Sequence, residues 1–346
     1  MTLRWILALG GIYCPGAHRH GSGISSREGY LQADNSEYRE RNAAILSALG
    51  ATVSYGVTPV FLRHFTTWLD PWMVNGIRYS IAAIFWLPVV LSMRRSWGGN
   101  GASPGIWRAA MAPAVINATG QVLWGLCPYF LTASVIGFAS RLSFLFTVLI
   151  GFALVPRERL LARQPAFLAG ALVCVVGMLL MFRDQLAAPG ASAAGVVIMT
   201  LTNVMFGAYA VSVGRHLGGF PTRLSFGVVS LYTAPPLLLL MFLLGDLSSA
   251  ARLDAILWGQ IAPSALIGIA LTHVFYFRSI HGLGPVVSTG LLMAIPFVTH
   301  VTASLFLKER MTSLQLAGGL ILVAGGVLLV IARARADTDA MEDRPP

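Results

Sequence analysis

Two short stretches, "LVPRERL" at 154–160 and "LFLKERM" at 305–311, share one plan: a small charged knot closes a long apolar run. The rest of the chain is poor in charge. Of its 346 residues, 56% are hydrophobic and only 11% are charged, against about 25% charged in a soluble globular domain. Mean hydropathy is +0.71. A chain that spends charge this sparingly yet writes the same knot twice invites a search for what else repeats.

Outward from the knots lie apolar runs near 20 residues in length, cut by charged clusters, which is the pattern of membrane helices. Ten spans can be drawn, at 43–62, 71–93, 109–129, 133–155, 165–182, 194–214, 224–245, 259–277, 284–307 and 314–332. Internal Pro and Gly do not argue against them, because neighbouring helices and side chains can satisfy the backbone groups they free. Residues 1–42 read as a cytoplasmic extension. Its apolar opening, "LRWILALGGIYC", is too short to span, and a cleaved signal is disfavoured because Tyr13 and Cys14 stand where small residues belong. Residues 333–346 read as a polar cytoplasmic tail.

Arginine placement sets an orientation. The net charge is +10, but the basic residues lie between apolar runs, where they act as topology signals rather than as a nucleic-acid surface. With the N-terminus in the cytoplasm, 17 of the 24 basic residues fall on the cytoplasmic side and five on the other; Arg78 and Arg141 lie inside spans. Both termini then share the cytoplasm, which requires an even number of spans.

The halves match at an offset of about 150 residues. "FLAGALVCVVGMLLMF" (167–182) aligns with "QLAGGLILVAGGVLLVI" (315–331), "WRAAMAP" (107–113) with "LWGQIAP" (257–263), and Gly56, Arg63 and His64 with Gly207, Arg215 and His216. Five spans per half is an odd number, so the second half enters the membrane from the opposite side. Inverted repeats of this kind belong to secondary transporters, whose substrate site lies near the midplane between the halves. The expected fold is an all-α integral membrane protein of ten transmembrane helices in two inverted five-helix repeats, residues 43–183 and 194–332.

At these residues the chain resembles the drug/metabolite transporter superfamily, in its EamA-like branch. The resemblance rests on a fourth helix, a Glu-Arg pair and a Gly-containing fifth helix, written twice: Glu158-Arg159 before "LAGALVCVVG" and Glu309-Arg310 before "LAGGLILVAGG". Arg78, early in the second span, matches another common feature. The resemblance implies transport of a small solute, often export, by alternating access. One departure is visible. Many relatives carry a mid-helix Pro in both the fourth and ninth helices; here the ninth has Pro296, while Leu145 stands in the fourth, which is expected to be straighter.

Candidate site residues follow from membrane energetics. A charge inside a span is expensive, and it faces a bundle interior or a water-filled cavity. Arg78 and Arg141 are therefore candidates to bind an anionic group, or else to snorkel to an interface or bond backbone carbonyls. Asn117, Gln121 and Trp124 share a face of the third span, with Trp124 able to stack on a planar solute; interhelical bonding by the amides is the alternative. Asn75 shares a face with Arg78. Tyr276, Tyr209 and Asn203 are weaker candidates, and Trp68, Trp72 and Trp258 read as interfacial anchors. All fourteen acidic residues lie in tails, loops or helix ends, so proton coupling would fall to His273 or His300. Gly170, Gly177, Gly318 and Gly325 suggest close helix packing, within the chain or in a homodimer. Each Glu of the knots suits the start of the helix that follows it and each Arg the end of the helix before it; gating as the halves rock is the alternative. No phosphate-binding loop, catalytic constellation or metal-ligand spacing stands out, so no cofactor, metal or nucleic-acid partner is expected. The expected surroundings are a bilayer of the plasma or inner membrane and a small, anionic solute. A membrane enzyme or sensor and a channel-like pore remain the other readings.

Overall fold

The structure is a computed structural model that describes residues 26–97, 104–154, 164–184, 191–276, 278–279 and 291–342. Two units are distinguished, Met1–Asn42 and Ala43–Pro346. In the first, the described residues are helical from Ser26 onward.

The described residues are helical, with no strand among them. In chain order the helices are α1 (Ser26–Phe65), α2 (Pro71–Trp97), α3 (Pro104–Phe130), α4 (Ala133–Ala139), α5 (Leu142–Leu154), α6 (Pro165–Met181), α7 (Ala191–Leu217), α8 (Thr222–Leu244), α9 (Leu247–Ala251), α10 (Ala255–Ala265), α11 (Ile295–Phe306) and α12 (Ser313–Glu342). Local sequence explains many of their starts. Asp70 accepts the Trp72 and Met73 N–H groups at 2.9 Å ahead of α2, and Asp254 accepts the Leu257 N–H at 2.8 Å ahead of α10. Pro opens α2 and α6 and lies in the first turn of α11, where its missing N–H costs nothing.

Among the described residues, seven helical stretches are long and apolar enough to cross a membrane: Asn42–Phe65, Pro71–Met93, Ala133–Leu154, Ala193–Leu217, Thr222–Leu244, Ala255–Tyr276 and Ser313–Ala332. Their outward faces agree with a bilayer as solvent. Ile84, Leu243 and Phe306 are 72%, 68% and 76% exposed, and a water-facing surface does not carry such residues in quantity.

Three helix pairs form the frame: α6 with α12, α3 with α7, and α2 with α8. The first rests on glycine. A Cβ on Gly177 would meet the Gly318 carbonyl at 2.7 Å, and one on Gly318 the Gly177 carbonyl at 2.8 Å. A Cβ on Gly325 would meet the Gly170 carbonyl at 2.9 Å, and one on Gly170 the Gly325 carbonyl at 3.1 Å. The four glycines are thus occupied within the chain, where two backbones touch. The arrangement is reciprocal. Gly170 and Gly318 are counterparts in the sequence repeat, as are Gly177 and Gly325, and each pairs with the other's counterpart.

The fourth span is interrupted, where the missing Pro pointed to a straighter helix. It breaks at Ser140-Arg141 between α4 and α5. The physical cause is polar rather than steric. The Ser140 hydroxyl donates to the Gly137 carbonyl at 2.8 Å, and the Ser143 hydroxyl to the Ser140 carbonyl at 2.7 Å. The backbone meanwhile tightens to Arg141 N–H→Phe138 O and Phe144 N–H→Arg141 O bonds. Serine hydroxyls competing for helix carbonyls weaken the regular ladder. The ninth span breaks as well, at Met293-Ala294, just before α11. A third irregularity is a π-helical segment, Leu266–Leu271, that continues α10.

Candidate functional site

The two membrane arginines occupy different settings. Arg78 is 3% exposed. Its Nε donates to the Ser264 hydroxyl at 3.2 Å and its Nη2 to the Ser264 carbonyl at 3.0 Å. Ser264 stands at the entrance to the π-helical segment, where the change of ladder leaves a carbonyl in need of a donor. A Cβ on Gly268 would meet Arg78 Nη2 at 2.9 Å and Thr58 Oγ1 at 2.7 Å. The guanidinium is therefore packed into the junction of α1, α2 and the π segment.

Arg141 is half-buried at the break in the fourth span. Its Nη2 and Nε donate to the Ser140 hydroxyl at 3.0 and 3.4 Å. Its Nη1 donates to the Leu292 carbonyl at 3.3 Å, which lies at the break in the ninth span. The two breaks therefore meet through one guanidinium. A guanidinium has five N–H groups, so this fork retains donors beyond the three bonds recorded among the described residues. Tyr55 of α1 and Tyr276 lie near Arg141, and Tyr209 of α7 lies near Tyr55. Tyr209 in turn lies near Tyr79, which follows Arg78 in α2. The result is a band of tyrosines between the two arginines, with Tyr79 buried and Tyr55, Tyr209 and Tyr276 half-buried. The ion pairs among the described residues are Arg63–Glu309 and Arg252–Asp246, so neither membrane arginine has a carboxylate partner there.

The amide residues are used between helices. Asn75 Nδ2 donates to the Gln121 carbonyl at 2.8 Å and Asn117 Nδ2 to Thr233 Oγ1 at 3.0 Å, while Gln121 Nε2 reaches Asn117 Oδ1 at 3.4 Å. Although Asn75 and Arg78 share a helix, Asn75 turns to α3 and Arg78 to α10. Asn203 donates to the Met199 carbonyl at 2.8 Å on its own helix. Trp124 meets Phe206 with ring centroids 5.8 Å apart. His273 stacks on Phe226 at 3.9 Å and meets Tyr55 edge-on at 5.8 Å. Its Nδ1 contacts the Ile269 carbonyl at 3.1 Å. A carbonyl only accepts, which assigns the proton to Nδ1. No group of three or more His, Cys, Asp or Glu that could hold a metal occurs among the described residues.

The knots behave differently from the expectation. Glu158 and Arg159 lie outside the described residues. Glu309 is described, and it does not serve the helix that follows it. The start of α12 is held instead by a capping box: the Thr312 N–H donates to Gln315 Oε1 at 3.0 Å and the Gln315 N–H to Thr312 Oγ1 at 3.2 Å. With α12 already capped, Glu309 crosses to α4. Its Oε1 accepts the Ala133 N–H at 3.0 Å, and its Oε2 accepts the Ser134 N–H at 3.1 Å. Arg310 is exposed.

Several participants escaped the sequence reading. Tyr55 and Tyr79 look like ordinary aromatic positions in apolar helices. Ser264 carries no local signal at all. The capping box was legible in "TSLQ" (312–315), and noticing it would have released Glu309 from its assumed duty.

A helical bundle with lipid-facing apolar surfaces, a polar band inside it and broken spans meeting at an arginine defines a multi-pass membrane protein of the transporter class. Residues 42–183 and 193–331 each match the EamA-like transporter family. The chain belongs to that family, within the drug/metabolite transporter group, and it contains the family's unit twice. No curated protein matches the chain. A solved crystal structure, described only as that of a protein, superposes with a TM-score of 0.57 over 85% of this chain and 99% of its own, at 17% identity. That likeness bears on fold alone.

Proposed function

We propose that the protein is a secondary transporter that exports a small organic anion by alternating access between two inverted five-helix repeats, with Arg141 as the anchor for the anionic group. The observation that carries this reading is the Arg141–Leu292 bond at 3.3 Å. It joins breaks in two spans that fall in different family-matched halves, and irregular backbone is tolerated at membrane depth where it is buried in protein or lines a water-filled cavity. Residues 141 and 292 are separated by 151 positions, the spacing of Glu158 and Glu309 in the two knots. Counterparts in contact are what a twofold axis between the halves requires. The crossed glycine pairs of α6 and α12 support the same axis. Arginine asymmetry supports both termini in the cytoplasm and, with the third, fifth and ninth spans added, a ten-helix count. The membrane is proposed to be the plasma or inner membrane.

Arg78 takes a framing role in this reading, because its recorded bonds go to Ser264. Tyr55 and Tyr276 complete the anion site, with Tyr209 extending it. A small solute is the partner, and homodimers are left to surfaces other than the four glycines. The test is solute movement in reconstituted vesicles, measured over a panel of small carboxylates, phosphate esters and uncharged analogues. Saturable counter-flow of an anion, lost in Arg141→Gln with insertion intact, is the expected result. Movement of no solute above empty vesicles would end the transporter reading, and non-saturable flux would favour a pore.

A further inference from the structure

The mouth of the bundle where α1, α3 and α11 end and α4 begins carries a charged contact unlike any other in the described membrane region. Glu309 is 9% exposed at its side chain. Both of its oxygens are engaged. Oε1 takes the Ala133 N–H, and Oε2 takes the Ser134 N–H and, at 3.3 Å, the Ser134 hydroxyl. Arg63 Nε stands 3.8 Å from Oε1, while Arg63 Nη1 donates to the Pro128 carbonyl in the last turn of α3. The loop that aims the carboxylate is constrained. Lys308 has a φ of 57°, a left-handed conformation that costs a non-glycine residue about 1 kcal/mol. From there the Glu309 N–H folds back to the Ala303 carbonyl at 3.3 Å.

The proton positions follow from chemistry. A carboxylate only accepts, so the Ser134 hydroxyl proton points to Glu309 and the Ser134 oxygen is left to accept. His300 Nδ1 lies 3.1 Å from that oxygen and therefore carries the proton it donates. The order is His300 N–H to Ser134 O–H to Glu309 carboxylate. Every partner of Glu309 presents a hydrogen to it. A protonated Glu309 would bring a fourth hydrogen into that set, and only the Ser134 oxygen could receive it. The Ser134 hydroxyl would then have to release Oε2, and the attraction to Arg63 would be lost. The charged and titratable groups around the carboxylate are Arg63 from α1, His300 from α11, and Lys308 and Arg310 beside it in the loop. The last turn of α3 contributes the Pro128 carbonyl and α4 the two N–H groups with Ser134. Beyond this shell, His64 is engaged with Gln260 at 2.9 Å.

We propose that Glu309 is a proton-released latch: as a carboxylate it ties α11 of the second family-matched half to α1 and α4 of the first and keeps this mouth shut, and protonation lets the mouth open. Thr299 marks the contact that would separate. Its hydroxyl donates to the Gly56 carbonyl of α1 at 2.8 Å, and a Cβ on Gly137 of α4 would meet its Cβ at 2.7 Å. The latch rests on the alternating-access reading above. It also gives a chain without a carboxylate deep in any span a place to couple opening to a proton. By arginine placement this mouth faces away from the cytoplasm, so acid on that side is the releasing signal.

The test uses spin-label distances on the full chain in nanodiscs, with the native cysteines replaced. One cysteine pair, at Thr67 and Leu305, reports this mouth, and a second, at Leu154 and Gly214, reports the opposite end; all four positions are exposed. Glu309→Gln should lengthen the first distance and shorten the second at neutral pH. Wild type should show the same reciprocal change on acidification, and Glu309→Gln should show no further change. Arg63→Ala, which leaves the two N–H bonds in place, should move both distances in the same directions by less. If Glu309→Gln lengthens only the first pair, the carboxylate is a local cap and the latch is refuted. If wild type changes reciprocally with pH and Glu309→Gln still does so, the molecule alternates but Glu309 is not its latch. If no arm gives reciprocal change, the latch falls together with alternating access.

Discussion

Arg78 and Arg141 look equivalent in the sequence and part company in the fold. Each is a charge in an apolar run, with an insertion cost of about 2.5–3.5 kcal/mol at a helix centre, so each must have compensation. Arg78 obtains it from Ser264 alone among the described residues, which predicts that Arg78→Gln lowers thermal stability. An unmet buried carbonyl costs about 1–3 kcal/mol, and a melting curve of purified protein reads the change. Arg141 bridges two span breaks with Tyr55 and Tyr276 nearby, which predicts a different outcome. Arg141→Gln should insert and melt close to wild type but lose solute transport, and Arg141→Lys should not rescue it, because a point charge cannot hold Leu292, Ser140 and an anion with one fork. Equal thermal losses in the two Gln variants would erase the distinction. Both arginines were legible because charge stands out against apolar sequence. Their difference was not, because Ser264 lies 186 residues from Arg78 and Leu292 lies 151 from Arg141.

At the scale of elements, glycine and serine decide the packing. The α6–α12 contact is backbone on backbone at four glycines, and a larger side chain there must push the helices apart. Gly177→Leu and Gly318→Leu should each destabilise by more than the roughly 1–3 kcal/mol typical of an overpacked core, visible as lost monodisperse protein on size exclusion. Gly214→Leu, with open space around it, is the control. The break in the fourth span makes a second prediction. Ser140→Ala removes an acceptor of Arg141 and the hydroxyl that holds the Gly137 carbonyl, so the span should straighten and solute affinity should fall while expression holds. Unchanged affinity would show that Arg141 is positioned by Leu292 alone. The missing Pro predicted a straight helix because Pro is the usual signal for a kink; two serines achieved the break through hydrogen bonds instead. The glycine spacing was visible in the sequence, but not whether it faced another part of the chain or a second copy.

At the scale of the whole molecule, the proposed inversion makes a prediction about sidedness. A cysteine at Lys308 should react with an impermeant reagent in intact cells, and one at Arg157 only after permeabilisation. Labelling of both from one side would overturn the inverted arrangement. What the sequence determined by itself is the membrane-spanning character, the doubling of the unit and the positions where charge is anomalous. Each is written within one segment or in its counterpart 150 residues away, because a bilayer makes every span satisfy its own backbone and so leaves a local record. What only the tertiary structure decided is which polar group answers which. Glu309 reaches back 176 residues to Ala133 rather than capping its own helix. Arg141 closes one broken span onto another. Such choices depend on how each helix is rotated against its neighbours, and in a chain whose spans are all apolar, hydropathy carries little record of that rotation.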